Sequence, residues 1–154
     1  MITDPCKVIQ HPEQPVLSVR TTIPVEEMPT TLGRAFGAIM AQIESLGEYP
    51  EGMPFVAYYN MDMQALDIEI GFPTARSLPG QGEVQPSSIP AGPVATCEYT
   101  GPYEELSAPY EELRAWVVEH GYEPTGISYE YYLNGPDDAP PSGYKTRIVF
   151  PLKM

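Results

Sequence analysis

Apolar and polar residues alternate without interruption from Ile127 to Asn134. Ile127, Tyr129, Tyr131 and Leu133 share one face of the segment, and Ser128, Glu130, Tyr132 and Asn134 share the other. A period of two predicts a strand. Residues 16–21 (Val-Leu-Ser-Val-Arg-Thr) read as another, ended by Pro24, whereas the stretch before them reads as a frayed start. From about Pro29 to Leu46 the period lengthens. Leu32, Phe36, Ile39, Ile43 and Leu46 recur at three- to four-residue steps, the stripe of a core-facing helix with Pro in its first turn. Gly47 sits where such a helix ends in a residue of positive φ. Pro50 and Gly52 shape the turn into a strand over residues 55–59. Residues 60–65 connect to a strand over 67–72, terminated by Pro73.

Residues 74–93 are rich in Pro, Gly, Ser and Gln and form a connection, with a short extended piece at 82–89. Then the pattern restarts. Residues 94–100 read as a strand, and Gly101-Pro102-Tyr103 leads into a helix ending near His120. Its stripe of Leu106, Tyr110, Leu113, Val117 and His120 lies 74 positions after the first one. Gly47, Pro50, Gly52 and Asn60 map onto Gly121, Pro124, Gly126 and Asn134 at the same offset. Ile70, Phe72 and Pro73 map onto Ile148, Phe150 and Pro151 at an offset of 78. The chain is therefore a duplicated strand–helix–strand–strand unit, with repeat 1 at about 16–73 and repeat 2 at about 94–153. One unit alone has a thin core. The expectation is a single α+β domain whose two units pair into a curved antiparallel sheet, with two main helices on one face and a central ligand groove on the other.

Composition narrows the function. Eight Lys+Arg against 21 Asp+Glu leave a net charge of −13, which repels phosphate backbones, so a direct nucleic-acid partner is not expected. No run approaches the roughly 18 apolar residues of a membrane helix, and the N-terminus lacks a signal-peptide pattern. A soluble, cytoplasmic protein is expected. Cys6 and Cys97 stand far apart in sequence, with no CxxC and no dense cysteine framework. No His, Cys and carboxylate spacing suits a metal, and no phosphate-binding or nucleophile-elbow motif occurs, so neither metal nor cofactor is expected.

The candidate chemistry centres on Glu130. At the repeat offset Val56 stands opposite Glu130 and Tyr58 opposite Tyr132, so of the two equivalent strands only the second offers a carboxylate. A carboxylate among phenols is partly desolvated, which raises its pKa. A cation seated between aromatic faces gains roughly 0.5–2 kcal/mol per good contact. The expected site holds Glu130, Tyr132, Tyr58, Tyr99 and Tyr103, with Trp116 as a further lining candidate beside the second stripe. The pairs Glu104-Glu105, Glu111-Glu112 and Glu26-Glu27 suit solvated helix faces and N-terminal turns.

Several runs of residues, in order, resemble the GyrI-like small-molecule-binding family. They are Leu66-Asp67-Ile68-Glu69-Ile70-Gly71-Phe72-Pro73, Ile89-Pro90-Ala91-Gly92-Pro93-Val94-Ala95-Thr96, and Gly101-Pro102-Tyr103-Glu104-Glu105-Leu106. Trp116, Gly121-Tyr122-Glu123-Pro124, Tyr129-Glu130-Tyr131-Tyr132-Leu133-Asn134 and Arg147-Ile148-Val149-Phe150-Pro151 complete the set. The resemblance spans about Val16 to Lys153. It implies the duplicated fold and a function like the effector-binding domains of AraC-type and MerR-type activators, which hold cationic lipophilic drugs against a buried Glu, here Glu130. Other members imply alternatives. One is hydrolysis of cyclopropane-bearing alkylating genotoxins, with Glu130 as the catalytic group, and another is inhibition through DNA gyrase as a protein partner. This chain departs from many relatives in carrying Thr100 where they have His, and it shows no helix-turn-helix pattern before Val16. The primary expectation is a stand-alone binder of lipophilic, cationic or electrophilic aromatic compounds, and a homodimer through sheet edges or helices is a further expectation.

Overall fold

The computed structural model describes residues 2–154, which divide into two compact units. One comprises residues 12–91, and the other joins the segment up to His11 to residues 92–154. Each unit has one long helix and four antiparallel strands.

In the first unit β2 (Gln14–Ile23) leads to α1 (Met28–Ser45), then β3 (Phe55–Tyr58), β4 (Leu66–Pro73) and β5 (Gln85–Ile89), the last within the predicted extended piece. The strand order is β3-β4-β2-β5. In the second unit β6 (Gly92–Thr100), α2 (Ser107–Glu119), β7 (Ser128–Tyr132) and β8 (Lys145–Pro151) follow in turn. Their order is β7-β8-β6, with β1 (Ile2–His11) outside β6 in the place that β5 takes outside β2. The fold is α+β, and the strand–helix–strand–strand unit is present twice.

Residues 2–11 are not frayed: they form β1. Asp4-Pro5 inside that segment conceals the strand from a pattern reading. The chain accommodates Pro5 where the register slips, since Asp4 pairs with Glu98 but Lys7 with Thr96. A bulge in an outer strand is a place where Pro is tolerated.

The duplication extends to burial. Ala35, Ile39 and Ile43 are buried on α1, and Pro109, Leu113 and Val117 are buried at equivalent places on α2. Of the predicted stripes, Leu32 and Phe36 match Leu106 and Tyr110 in being half-buried, while Leu46 and His120 lie past the helix ends and are exposed. The stripe is thus centred about one residue from its predicted axis. The two offsets also have a structural cause. Pro24 and Pro102 precede their short 3-10 turns with nearly identical backbone angles, 78 positions apart. α1 then follows its turn directly and has 18 residues, whereas Leu106 stands between the second turn and the 13 residues of α2, so the offset falls by four to 74. The longer connection after Asn134 restores it. Asn60 and Asn134 close the two strand connections alike: each accepts from a following strand's backbone N–H, of Asp67 or Lys145, and donates to a carbonyl, of Ala65 or Gly143.

The core of the second unit places Ala95, Cys97, Ile148, Phe150 and Leu152 beneath Leu113 and Val117 of α2. Glu130 pairs with Ile148 in register and so lies on this helix-covered face. The expected placement of Glu130 on a trough away from the helices is therefore corrected. Strand alternation sets the face, and Ile148 belongs to the α2 side.

Candidate functional site

Strand β7 carries Glu130 in the middle of its five residues, flanked on the same face by Ser128 and Tyr132. The carboxylate is buried, with 7% of the residue exposed. Two phenols hold it. Tyr110 donates to Oε2 at 2.5 Å from helix α2, and Tyr132 donates to Oε1 at 3.0 Å from β7 itself. No ion pair to Glu130 occurs among the described residues. Burial pushes its pKa above the ordinary carboxylate range, and the hydrogen bonds from Tyr110 and Tyr132 pull in the opposite direction without cancelling that rise.

Further aromatic rings continue outward from this pair. Tyr103 meets Tyr132 edge to face, with centroids 5.8 Å apart, and stacks on Tyr144 at 4.9 Å. Tyr103 is 39% exposed, so Glu130, Tyr132 and Tyr103 run from the buried interior to the surface. Burial raises the Tyr103 pKa, with smaller contributions from Tyr144 and the negative Glu130, so its phenol stays protonated at neutral pH. The group can offer a negative charge, phenol hydrogen bonds and aromatic faces to one guest.

The structure brings together three of the predicted residues, Glu130, Tyr132 and Tyr103. Tyr99 lies on the same face but is 2% exposed, and its hydroxyl donates to the Pro102 carbonyl at 3.0 Å, which secures the turn into α2. Trp116 packs at the margin of the core and stacks on His120, with centroids 4.0 Å apart. Tyr58 is on β3 in the other unit, opposite Ile68. Tyr110 and Tyr144 were not among the predicted site residues. Tyr110 read as one member of a helix stripe, yet the repeat held a signal. Its counterpart is Phe36, which meets Phe72 as Tyr110 meets Phe150. The hydroxyl at 110 thus appears in the half where Glu130 replaces Val56, as a donor and acceptor introduced together.

A second buried carboxylate lies in the first unit. Glu69 of β4 is 7% exposed and accepts from Ser18 and Tyr59, each at 2.6 Å. Within its own unit it occupies the sheet face turned away from α1, since Ile68, Ile70 and Phe72 alternate with it and Phe72 meets Phe36 of α1. Beside it, Arg20 forms a two-point ion pair with Asp67 and lies 3.8 Å over the Tyr59 ring. The first half therefore also has a buried Glu, on another strand, which the comparison of β3 with β7 could not reveal.

Among the described residues no group of three or more His, Cys, Asp or Glu side chains is placed to hold a metal, and no helix is long and apolar enough to cross a membrane. Residues 4–153 match the GyrI-like small molecule binding domain. The chain belongs to that family. No curated protein matches it. Among solved structures, this GyrI-like chain is similar to the EcmrR C-terminal domain, at 21% identity and a TM-score of 0.82, covering 99% of both chains. In the EcmrR–DNA complex the match has a TM-score of 0.83 at 23% identity and spans 97% of this chain but 57% of that one. SAV2435 bound to tetraphenylphosphonium matches with a TM-score of 0.70 at 12% identity, over 97% of this chain and 94% of that one. A hydrolase from Listeria innocua matches with a TM-score of 0.73 at 16% identity, covering 99% of this chain and 94% of that one. These likenesses establish a shared fold.

Proposed function

We propose that this GyrI-like chain binds lipophilic aromatic cations, with Glu130 as counter-ion and Tyr132, Tyr103 and Tyr110 as its aromatic and hydrogen-bonding surround. The observation that carries the reading is the Glu130 carboxylate itself. It is buried, two phenols hold it, and no protein cation pairs with it among the described residues. A buried charge is costly unless paired, so an organic cation would supply what the protein leaves out. Aromatic rings favour a delocalised, weakly hydrated cation over a strongly hydrated ammonium. That SAV2435, a protein of the same fold, holds tetraphenylphosphonium supports this choice of class. Electrophilic aromatic compounds that carry partial positive charge fall within it.

Two probes of one shape and opposite charge test the reading. Tetraphenylphosphonium should bind with measurable heat in calorimetry, and tetraphenylborate should not. Equal binding of both would mean that shape and oiliness, rather than charge, select the guest.

A second reading, hydrolysis of a strained alkylating compound, has one observation in its favour. A carboxyl with a raised pKa at 2.5 Å from a phenol is a candidate for general acid–base work. Incubation with a cyclopropane-bearing alkylator, followed by mass spectrometry for the water adduct, tests it. Turnover no faster than in Glu130→Gln removes it.

A further inference from the structure

The two cysteines of the chain, 91 positions apart, are neighbours in the fold. Cys97 lies in β6, and β1 runs beside it. The register passes from Asp4 opposite Glu98 to Lys7 opposite Thr96, which leaves Pro5 and Cys6 together facing Cys97. Cys6 packs against the same apolar cluster that contains Cys97, so both side chains point to the α2 face. The two thiols lie close enough that each influences the other's titration, and neither is in a disulfide. Adjacent antiparallel strands hold facing Cα atoms about 4.5–5.5 Å apart, within the roughly 4.4–6.8 Å that a disulfide spans. Cys97 is 1% exposed, whereas Cys6 is half-buried.

We propose that Cys6 and Cys97 are a redox pair, which a small-molecule disulfide such as oxidised glutathione converts, in the folded protein, into an intramolecular bond stapling β1 to β6. The accessible thiol goes first. Cys6 Sγ gives its proton to water and attacks one sulfur of the glutathione disulfide. The S–S bond breaks and one glutathione thiolate leaves. Cys97 Sγ, losing its own proton, then attacks Cys6 Sγ and expels the second glutathione thiolate. Two protein thiols are oxidised by two electrons, and one glutathione disulfide is reduced to two thiols.

Burial pushes the Cys97 thiol up to about 12 and raises Cys6 as well, with the negative Glu112 of α2 opposing both thiolates. The pair therefore exchanges slowly and stays reduced through brief contact with oxidant. The bond would join an outer strand to the cross-strand row Cys97, Ile148, Glu130.

Native protein incubated with oxidised glutathione is quenched in acid, unfolded, alkylated and mapped by mass spectrometry. The expected product is a peptide linking Cys6 to Cys97, with loss of both alkylatable thiols and recovery of both on adding dithiothreitol. Cys97→Ala should trap glutathione on Cys6, and Cys6→Ser should leave Cys97 alkylatable under native oxidation. Circular dichroism checks that each variant is folded. Two free thiols after prolonged oxidation of the native wild type, or a glutathione adduct on Cys6 that never resolves, would overturn the proposal. The readout needs no ligand, so its failure is separate from failure of the cation-binding reading.

Discussion

Replacing Glu130 with Gln removes one negative charge while keeping the side chain's length and its capacity to hydrogen-bond the two phenols. Were a cation to sit about 5–6 Å from the carboxylate, an effective dielectric of about 20 gives an attraction of about 3 kcal/mol. Two effects bear on how much of this a titration reads. Burial of the carboxylate is already present in the unliganded protein, where the group is 7% exposed, so little further desolvation of Glu130 is needed on binding. The aromatic contribution survives the substitution, because Tyr132 and Tyr103 remain. The expected loss is therefore about 2–3 kcal/mol, or roughly 30- to 150-fold in Kd at about 1.4 kcal/mol per tenfold. The general pull of an acidic surface does not imitate this, since the net charge moves only from −13 to −12 on losing one negative group. Salt near 0.15 M screens that surface beyond about 8 Å. Calorimetric titration of tetraphenylphosphonium into both proteins in such a buffer is the assay. An unchanged Kd would refute the role of Glu130.

The remaining predictions concern titration and packing. Tyr110→Phe removes a hydrogen bond that lowers the Glu130 pKa; cation affinity falls as Glu130 takes up its proton, so the midpoint of affinity against pH should move to higher pH than in wild type. Because burial raises the Glu130 pKa in the folded chain, the stability this group contributes is present below its unfolded pKa and is lost as pH rises through the folded value. Glu130→Gln should thus melt higher than wild type at neutral pH, with the two curves converging in acid. Ile39→Ala and Leu113→Ala, each at a fully buried position of an equivalent helix, should each cost about 2–5 kcal/mol in denaturant unfolding. Gly47 and Gly121 end the two helices at φ of +70° and +79° with open space where a Cβ would go, so Ala at either should cost about 1–2 kcal/mol through backbone strain alone.

Much of the architecture was legible because its signals are local. The period of two around Glu130, the stripes along both helices and the paired Gly, Pro and Asn positions all reflect backbone geometry that neighbouring residues dictate. Strand β1 escaped notice because Pro5 breaks the pattern, and only pairing with β6 makes that segment extended. The site was legible in part. Glu130 and Tyr132 share a strand face, so alternation alone places them together. Tyr110 lies 20 positions away on a helix, and its contact depends on how α2 crosses the sheet.

By itself, then, the order of residues determined both helices and the strands other than β1, that the unit occurs twice, and that one half bears a carboxylate where the other bears Val56. Those properties follow from periodicities of about 2 and 3.6, which each segment carries alone. Tertiary structure decided which face Glu130 occupies, which phenols hold it, that Glu69 is buried on the face of its own unit turned away from α1, and that Cys6 meets Cys97. Each of these depends on register and packing between segments distant in sequence, and a single residue's slip in register would turn the strand-borne side chains among them to the other face.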